Sequence, residues 1–219
     1  MIYSIIPVKP LARAKQRLES MLTASERQAL VAAMLDDVLA TLRAAPVIDR
    51  IGVISRDPTV LALAAGRGAE PLHDEADDLN GALAQAARHA VASGATAMLV
   101  LPADVPLVTP AEIAALVAAL NGHPGAVLAP ARDGGTNALL ASPPDVLPFQ
   151  FGPGSLARHL AAAQARQVMA RVVYLPGLEL DIDRPADVLA LAAAPGERGA
   201  QRLARAGAGP GAERSGAVG

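Results

Sequence analysis

Residues 97–110, AMLVLPADVPLVTP, decide how the rest of the chain reads. Met98, Leu99, Val100 and Leu101 form a continuous apolar run, the pattern of a strand buried on both faces of a parallel sheet. Pro102 ends the run, and Asp104 is the first ionisable side chain after it. In open α/β sheets ligands bind beyond the carboxyl ends of the strands, so Asp104 stands where chemistry is done. Thr109 reads as an N-cap and Pro110 as the first helical residue. Ile113, Leu116, Val117 and Leu120 then give that helix one apolar face to lay on the sheet.

Asp104 alone is open to two readings. It can bond turn amides, as loop aspartates commonly do, or it can ligate Mg²⁺, which is usually held by one or two carboxylates together with substrate phosphates. A second carboxylate at another strand end favours the metal, and Asp181 supplies it. In Leu178-Glu-Leu-Asp-Ile-Asp183 the residues Leu178, Leu180 and Ile182 alternate with Glu179, Asp181 and Asp183, so the carboxylates share one face of an extended segment. Asp183 stands shortly before Pro185 and reads as the N-cap of a closing helix that turns Val188, Leu191 and Ala192 inward. Asp181 is then the freer carboxylate and pairs with Asp104 as the candidate metal ligands.

Upstream, the chain opens on an apolar run, Ile2 to Val8, followed by KPLARAKQRL. Lys9, Arg13 and Lys15 fall just after this first strand, where many α/β nucleotide enzymes place a phosphate-binding loop. The loop holds no glycine, so the dinucleotide fingerprint and the Walker P-loop are both absent. Side-chain cations would have to supply the charge; a solvated basic turn is the alternative. Thr23-Ala-Ser-Glu26 is a capping box for a helix lined by Val31, Leu35, Val38 and Leu42. Asp49 to Ser55 reads as a second strand and Asp57-Pro58 as the start of a short helix ended by Gly66 and Gly68. Strands alternating with helices at this spacing predict βαβ units, and hence an α/β fold with a mainly parallel sheet. The acidic loop from Leu72 to Gly81 lacks calcium-loop spacing and reads as solvated, His73 included. Asn80 stands at the start of a helix carrying Leu79, Leu83, Ala86, Ala87 and Ala90 on one face, where it can cap the helix or contact a base or sugar.

Downstream, Ala126 to Pro130 and Thr136 to Ala141 read as strands around Arg132-Asp-Gly-Gly135, a tight reversal or a place where backbone approaches a ligand. Gly152, Gly154 and Ser155 open a helix with free amides, a hydroxyl and the positive end of a dipole. That combination suits a small anion, with simple N-capping as the alternative, and Arg158 and His159 in the first turn could assist. Val172 to Leu175 is a further strand. From Pro195 onward the chain is rich in Gly, Ala and Arg without periodicity and reads as a flexible tail. One domain over residues 1–194 and a tail over 195–219 follow.

Composition narrows the classes. A hydrophobic fraction of 52% in 219 residues supports one domain with a sizeable core, and an aromatic fraction of 2% makes that core aliphatic. A net charge of −2 and a pI near 6.1 offer no broad basic field for nucleic acid, so phosphate binding must be local. With no cysteine, disulfides and thiolate metal sites are excluded. No apolar run reaches membrane-spanning length and the N-terminus enters a strand directly, which reads as a soluble, cytoplasmic protein without a membrane partner. Whether it forms a homodimer is left open.

Together the motifs resemble a known family. PVKPLARAKQRL near the start, DDLNGAL at 77–83, LPADVPL at 101–107, GGTNAL at 134–139, FGPGS with RH over 151–159 and LDIDRPADV at 180–188 are similar to the phosphoenolpyruvate or 2-phospho-L-lactate guanylyltransferases of coenzyme F-420 biosynthesis. The resemblance spans about residues 1–192 and is carried by six motifs in order. It implies a three-layer α/β/α sandwich of the nucleotide-diphospho-sugar transferase type, related to molybdenum-cofactor guanylyltransferases but without their glycine-rich N-terminal loop. It also implies roles: Asp104 and Asp181 for Mg²⁺; Thr136, Gly152 and Ser155 for the phosphorylated three-carbon acid; Lys9, Arg13 and Lys15 for the GTP phosphates; Asn80 near the nucleoside. Lys9, Lys15 and Asp104 would then carry catalysis. Arg184 stands where threonine is commoner, next to the closing helix.

The activity so implied is transfer of GMP from GTP to the phosphate of phosphoenolpyruvate, 2-phospho-L-lactate or 3-phosphoglycerate, with release of pyrophosphate. No motif reads out the acid, and bacterial relatives favour phosphoenolpyruvate. Two alternatives stand beside it: a related transferase using another nucleotide or acceptor, and a catalytically silent nucleotide-binding domain.

Overall fold

The strand that ends before Asp104 lies near the middle of a seven-stranded sheet ordered β3-β2-β1-β4-β6-β5-β7. The strands are β1 (Ile2–Pro7), β2 (Arg50–Ser55), β3 (Glu70–His73), β4 (Ala97–Val100), β5 (Gly125–Pro130), β6 (Thr136–Ser142) and β7 (Ala170–Val172). The helices are α1 (Ala24–Ala44), α2 (Pro58–Gly66), α3 (Leu79–Ala92), α4 (Pro110–Leu120), α5 (Ser155–Ala165), α6 (Pro176–Glu179) and α7 (Pro185–Ala193). The computed structural model describes residues 1–193; residues 194–219, including the stretch from Pro195 read as a tail, lie outside it.

β1 pairs in parallel with β2 and β4, β2 with β3, and β5 with β7. Among the described strands only β6 runs against its neighbours, pairing antiparallel with β4 and β5. The sheet is therefore mixed and mainly parallel. Every residue of β4 and β5 is buried, as the unbroken apolar runs predict for strands covered on both faces.

Alternate residues feed two cores. Ile6, Val53, Leu99, Val127 and Leu140 pack with α1, α2, α4 and α7 on one face. Tyr3, Ile5, Met98, Val100, Leu128 and Leu139 pack with α3 and α5 on the other. Helices on both faces of one sheet make the three-layer sandwich. Close approach of alanine-rich helix faces, as at Ala82, Ala86, Ala87 and Ala90 of α3, takes the place of aromatic bulk.

Local chemistry sets the ends. The Thr23 capping box opens α1, Asp57 caps α2, and Thr109 opens α4 by a second capping box with Glu112. Asp78, not Asn80, caps α3: its Oδ1 accepts from the Gly81 amide at 2.7 Å. Two strand readings shift. β7 sits at Ala170–Val172, earlier than Val172 to Leu175, because Ala170 to Val172 are the residues that register with Ala126 to Leu128. Leu178 to Asp183 is not a ladder strand; it begins inside the α6 turn and continues extended without pairing, its alternation spent on packing Leu178, Leu180 and Ile182.

Glu112 does more than cap. Its Oε2 accepts from the Thr109 amide at 2.9 Å, while Oε1 accepts from the Gly177 amide at 2.7 Å and ties α6 to α4. Thr109→Ala should cost about 1 kcal/mol of unfolding free energy, an ordinary capping loss. Glu112→Ala should cost roughly 2 kcal/mol or more, because a charge-assisted bond to a second segment goes with the cap. Urea midpoints at unchanged m-value measure both.

Candidate active site

The chain leaves β1 toward β2 and β3, then returns to β4 on the other side of β1. Such a reversal opens a crevice beyond the carboxyl ends of the two strands. A cleft of about 720 Å³ occupies that position, bordered by Lys9 to Arg17, Asp104, the start of β6, the Gly152–Ser155 turn, and Asp181 and Asp183. Its size suits small-molecule ligands.

Asp104 lies in the loop that leaves β4, and its backbone carbonyl accepts from the Ile182 amide at 3.0 Å. That one bond lays the 181–183 segment beside the 104 loop. Carboxylate oxygens of Asp104, Asp181 and Asp183 consequently lie within 4.8 Å of one another. Lys15 reaches into the group: Nζ is 2.5 Å from Asp104 Oδ2 and 2.7 Å from Asp183 Oδ1, with its side chain only 10% exposed. Its backbone takes the left-handed conformation, φ 50°, uncommon for a residue with a side chain. The preceding turn is pinned by the Leu11 amide, which donates to Asp57 Oδ2 at 2.8 Å, so the cap of α2 also anchors the basic loop.

Neighbouring carboxylates are tuned in opposite directions. Burial pushes Asp181 up, nearby Asp104 adds to the rise, and a 3.3 Å bond from Asn137 Nδ2 offsets part of it. Burial also pushes Asp183 up, but Lys15 outweighs it with help from Arg17, 3.5 Å away, and holds Asp183 below the usual carboxylate range. Burial pulls Lys15 down, yet Asp104 and Asp183 more than offset this and raise it. Three hard oxygen donors around one point, already charge-compensated by an ammonium, form a set suited to a divalent cation such as Mg²⁺.

Asp183 is therefore no helix cap. Asp187 caps α7 from within: its Oδ2 accepts from the Asp183 and Arg184 amides at 3.0 and 2.7 Å. This frees the Asp183 carboxylate for Lys15. The alternation of 179, 181 and 183 contained the signal, and the nearby proline concealed it. Asn137, buried and donating to both Leu178 O at 2.9 Å and Asp181, was also missed; nothing in GGTNAL marks it as a support.

The other sequence candidates divide. Lys9 and Arg13 border the cleft and are exposed. Asn80 spends its amide elsewhere: Oδ1 accepts from the Phe151 amide at 2.8 Å and Nδ2 donates to the Phe151 carbonyl at 3.2 Å. It clasps the 149–154 turn to α3 rather than capping the helix, and it is not among the cleft-lining residues. Thr136 opens β6 and is 5% exposed; Ser155 Oγ donates to its Oγ1 at 3.0 Å. Gly152 (φ 120°) and Gly154 (φ 66°) take conformations that side chains resist, and α5 starts without any side-chain cap. Simple N-capping by a side chain is thus excluded; the Ser155 and Leu156 amides donate instead to the Gly152 and Gly134 carbonyls at 3.0 and 3.4 Å. His159, read as a first-turn helper, is instead fully buried beneath Thr136.

Lys15→Met should lower stability by about 3 kcal/mol at pH 7, the cost of stranding its partners. The Lys15–Asp183 contribution is present above the ordinary carboxylate range and fades as pH falls through the lowered Asp183 value. Urea midpoints should therefore show a smaller deficit at about pH 3 than at pH 7.

Comparison with known proteins identifies the family. The family model described as guanylyl transferase CofC like matches residues 2–202. The chain is similar to the phosphoenolpyruvate guanylyltransferase of Roseiflexus sp. (strain RS-1), 48% identical over 204 residues that cover 93% of this chain and 90% of that protein. It is also similar to the 3-phospho-D-glycerate guanylyltransferase of Colwellia psychrerythraea, 33% identical over 188 residues, 86% of this chain and 90% of that one. Its fold matches a structure assigned to the nucleotide-diphospho-sugar transferases, from Desulfovibrio desulfuricans G20. The TM-score is 0.69 at 17% identity, covering 84% of this chain and 82% of the other. By the family model and the identity to these relatives, the chain belongs to the CofC-like guanylyl transferase family.

Proposed function

We propose that the protein transfers GMP from GTP to the phosphate of a small phosphorylated acid, phosphoenolpyruvate in the first instance, and releases pyrophosphate. The convergence of Asp104, Asp181 and Asp183 at the sheet's switch point, with Lys15 paired to Asp104 and Asp183, carries this reading. Relatives bearing the phosphoenolpyruvate guanylyltransferase name support the choice of acid. The sequence resemblance supports a place in coenzyme F-420 biosynthesis.

A phosphate oxygen of the acid forms a bond to the α-phosphorus of GTP as the bond to the β-phosphate oxygen breaks. The attacking oxygen is already ionised, so no general base and no covalent enzyme intermediate are needed. The difficulty is charge, since two anions meet and a third departs. Lys9, Arg13 and Lys15 along one rim answer the triphosphate, and Thr136, Gly152 and Ser155 receive the acid. Asp104, Asp181 and Asp183 would hold Mg²⁺, which when bound supplies positive charge to the phosphates. Asn137 keeps Asp181 aimed by its bond to that carboxylate. Asn80 serves the site indirectly, by fixing to α3 the turn that carries Gly152. Among the described residues no helix is long and apolar enough to cross a membrane.

Incubation with GTP and each of phosphoenolpyruvate, 2-phospho-L-lactate and 3-phosphoglycerate, followed by mass measurement, should give a guanylylated product with phosphoenolpyruvate and stoichiometric pyrophosphate. Absence of product with every acid would end the assignment. Asp104→Asn and Asp181→Asn should each lower turnover at least about 100-fold with the far-ultraviolet circular dichroism spectrum retained. Near-normal pyrophosphate release by either variant would remove that residue from the site.

A further inference from the structure

The hydrogen bonds beneath Thr136 have only one consistent direction. The Gln150 amide donates to His159 Nε2 at 2.9 Å, and a backbone N–H has no other role, so Nε2 bears no proton. The ring is fully buried and neutral, with burial and the neighbouring Arg158 holding it down at about 4. Its single proton is then on Nδ1, which faces Thr136 Oγ1 at 3.2 Å and is also favoured by the Ser155 carbonyl. Ser155 Oγ donates to the same Thr136 oxygen at 3.0 Å. Neither neighbour can accept the Thr136 proton, since Nδ1 carries its own, shared with the Ser155 carbonyl, and Ser155 Oγ is itself the donor. The Thr136 proton has one remaining direction, into the cleft that Thr136 lines.

We propose that His159 is a positioning residue whose Nδ1–H tautomer makes Thr136 an obligate hydrogen-bond donor, selecting an unprotonated anionic oxygen of the acceptor acid at that point. The inference rests on the function proposed above. A hydroxyl free to rotate could donate or accept and would discriminate little; one locked as a donor leaves an unpaired polar group against any ligand that presents a donor there. Phe151, edge-on to the imidazole with ring centroids 5.0 Å apart, keeps the ring from turning.

The first test needs no turnover. Long-range ¹H–¹⁵N spectra of the ¹⁵N-labelled chain at pH 7 should show His159 protonated at Nδ1 alone; an Nε2–H tautomer or an imidazolium would overturn the proposal. The second is kinetic. His159→Leu should raise the KM for the acid at least about tenfold and leave the KM for GTP within about twofold. His159→Asn, whose side-chain amide can stand in for Nδ1–H, should recover most of the loss. Thr136→Val should cost as much as His159→Leu, and the double variant little more than either, because both remove one donor. Independent, multiplying effects, or an unchanged acid KM in His159→Leu, would overturn the proposal. If His159→Leu fails to fold, the Asn variant and the tautomer spectrum still decide it. Absence of product from the unaltered enzyme with every acid would refute the proposed function, while the spectrum would judge the hydrogen-bond order separately.

Discussion

Three carboxylates cannot share the head of a sheet without a cation among them, and the buried ammonium of Lys15 meets that constraint. Much of the local architecture serves to bring it there. The Leu11–Asp57 bond pins the turn after β1, and Lys15 accepts a left-handed backbone to aim its side chain inward. From the opposite side, the Ile182–Asp104 backbone bond sets the spacing of the acidic segments, and Glu112 draws Gly177 toward α4 just before those residues. The result is polarised. Asp183, against Lys15, is held down, while Asp181, without a paired cation among the described residues, is pushed up. Two aspartates a single residue apart thus acquire different affinities for a proton from their surroundings alone.

The reversed strand completes the cleft. Because β6 runs against β4 and β5, its first residues, Thr136 and Asn137, stand at the same end of the sheet as the last residues of the parallel strands. A parallel strand in that place would have presented a carboxyl end there; β6 presents a hydroxyl supported by His159 and an amide that braces Asp181.

Most of the fold was legible because it rests on local rules. The run from Met98 to Leu101, the two Thr–Glu capping boxes and Asp57-Pro58 each found the element they predict. The readings that shifted were those where tertiary partners outvoted a local signal. Asp183 looks like a cap until Asp187 takes that role, and Asn80 looks like one until Asp78 is seen to hold the Gly81 amide. Leu178 to Asp183 alternates as a strand does, but no ladder is within reach, and alternation records only which side is apolar. At the site, Asp104, Asp181 and Lys15 were visible as charges at strand ends and do converge. Asn137 was not, and His159 was visible only as a first-turn helper of an anion, since an amide or imidazole takes its role from the atoms above and below it, and sequence spacing carries no trace of those.

The clasp between Asn80 and Phe151 has a wider meaning. The cleft's basic and first acidic side is built by residues before 105, and its hydroxyl and glycine side by residues after 130. The Lys15–Asp183 pair, the Ile182–Asp104 bond and the β4–β6 ladder join the two stretches deeper in the cleft, while the Asn80 amide holds the 149–154 turn at the rim. The 149–154 turn is therefore modular at the mouth: substitutions within it can remould what that side accepts without touching the Lys15–Asp104–Asp183 group, provided residue 80 still fastens the turn. A common scaffold could in this way diverge toward different small acids while the machinery for the shared nucleotide stays intact.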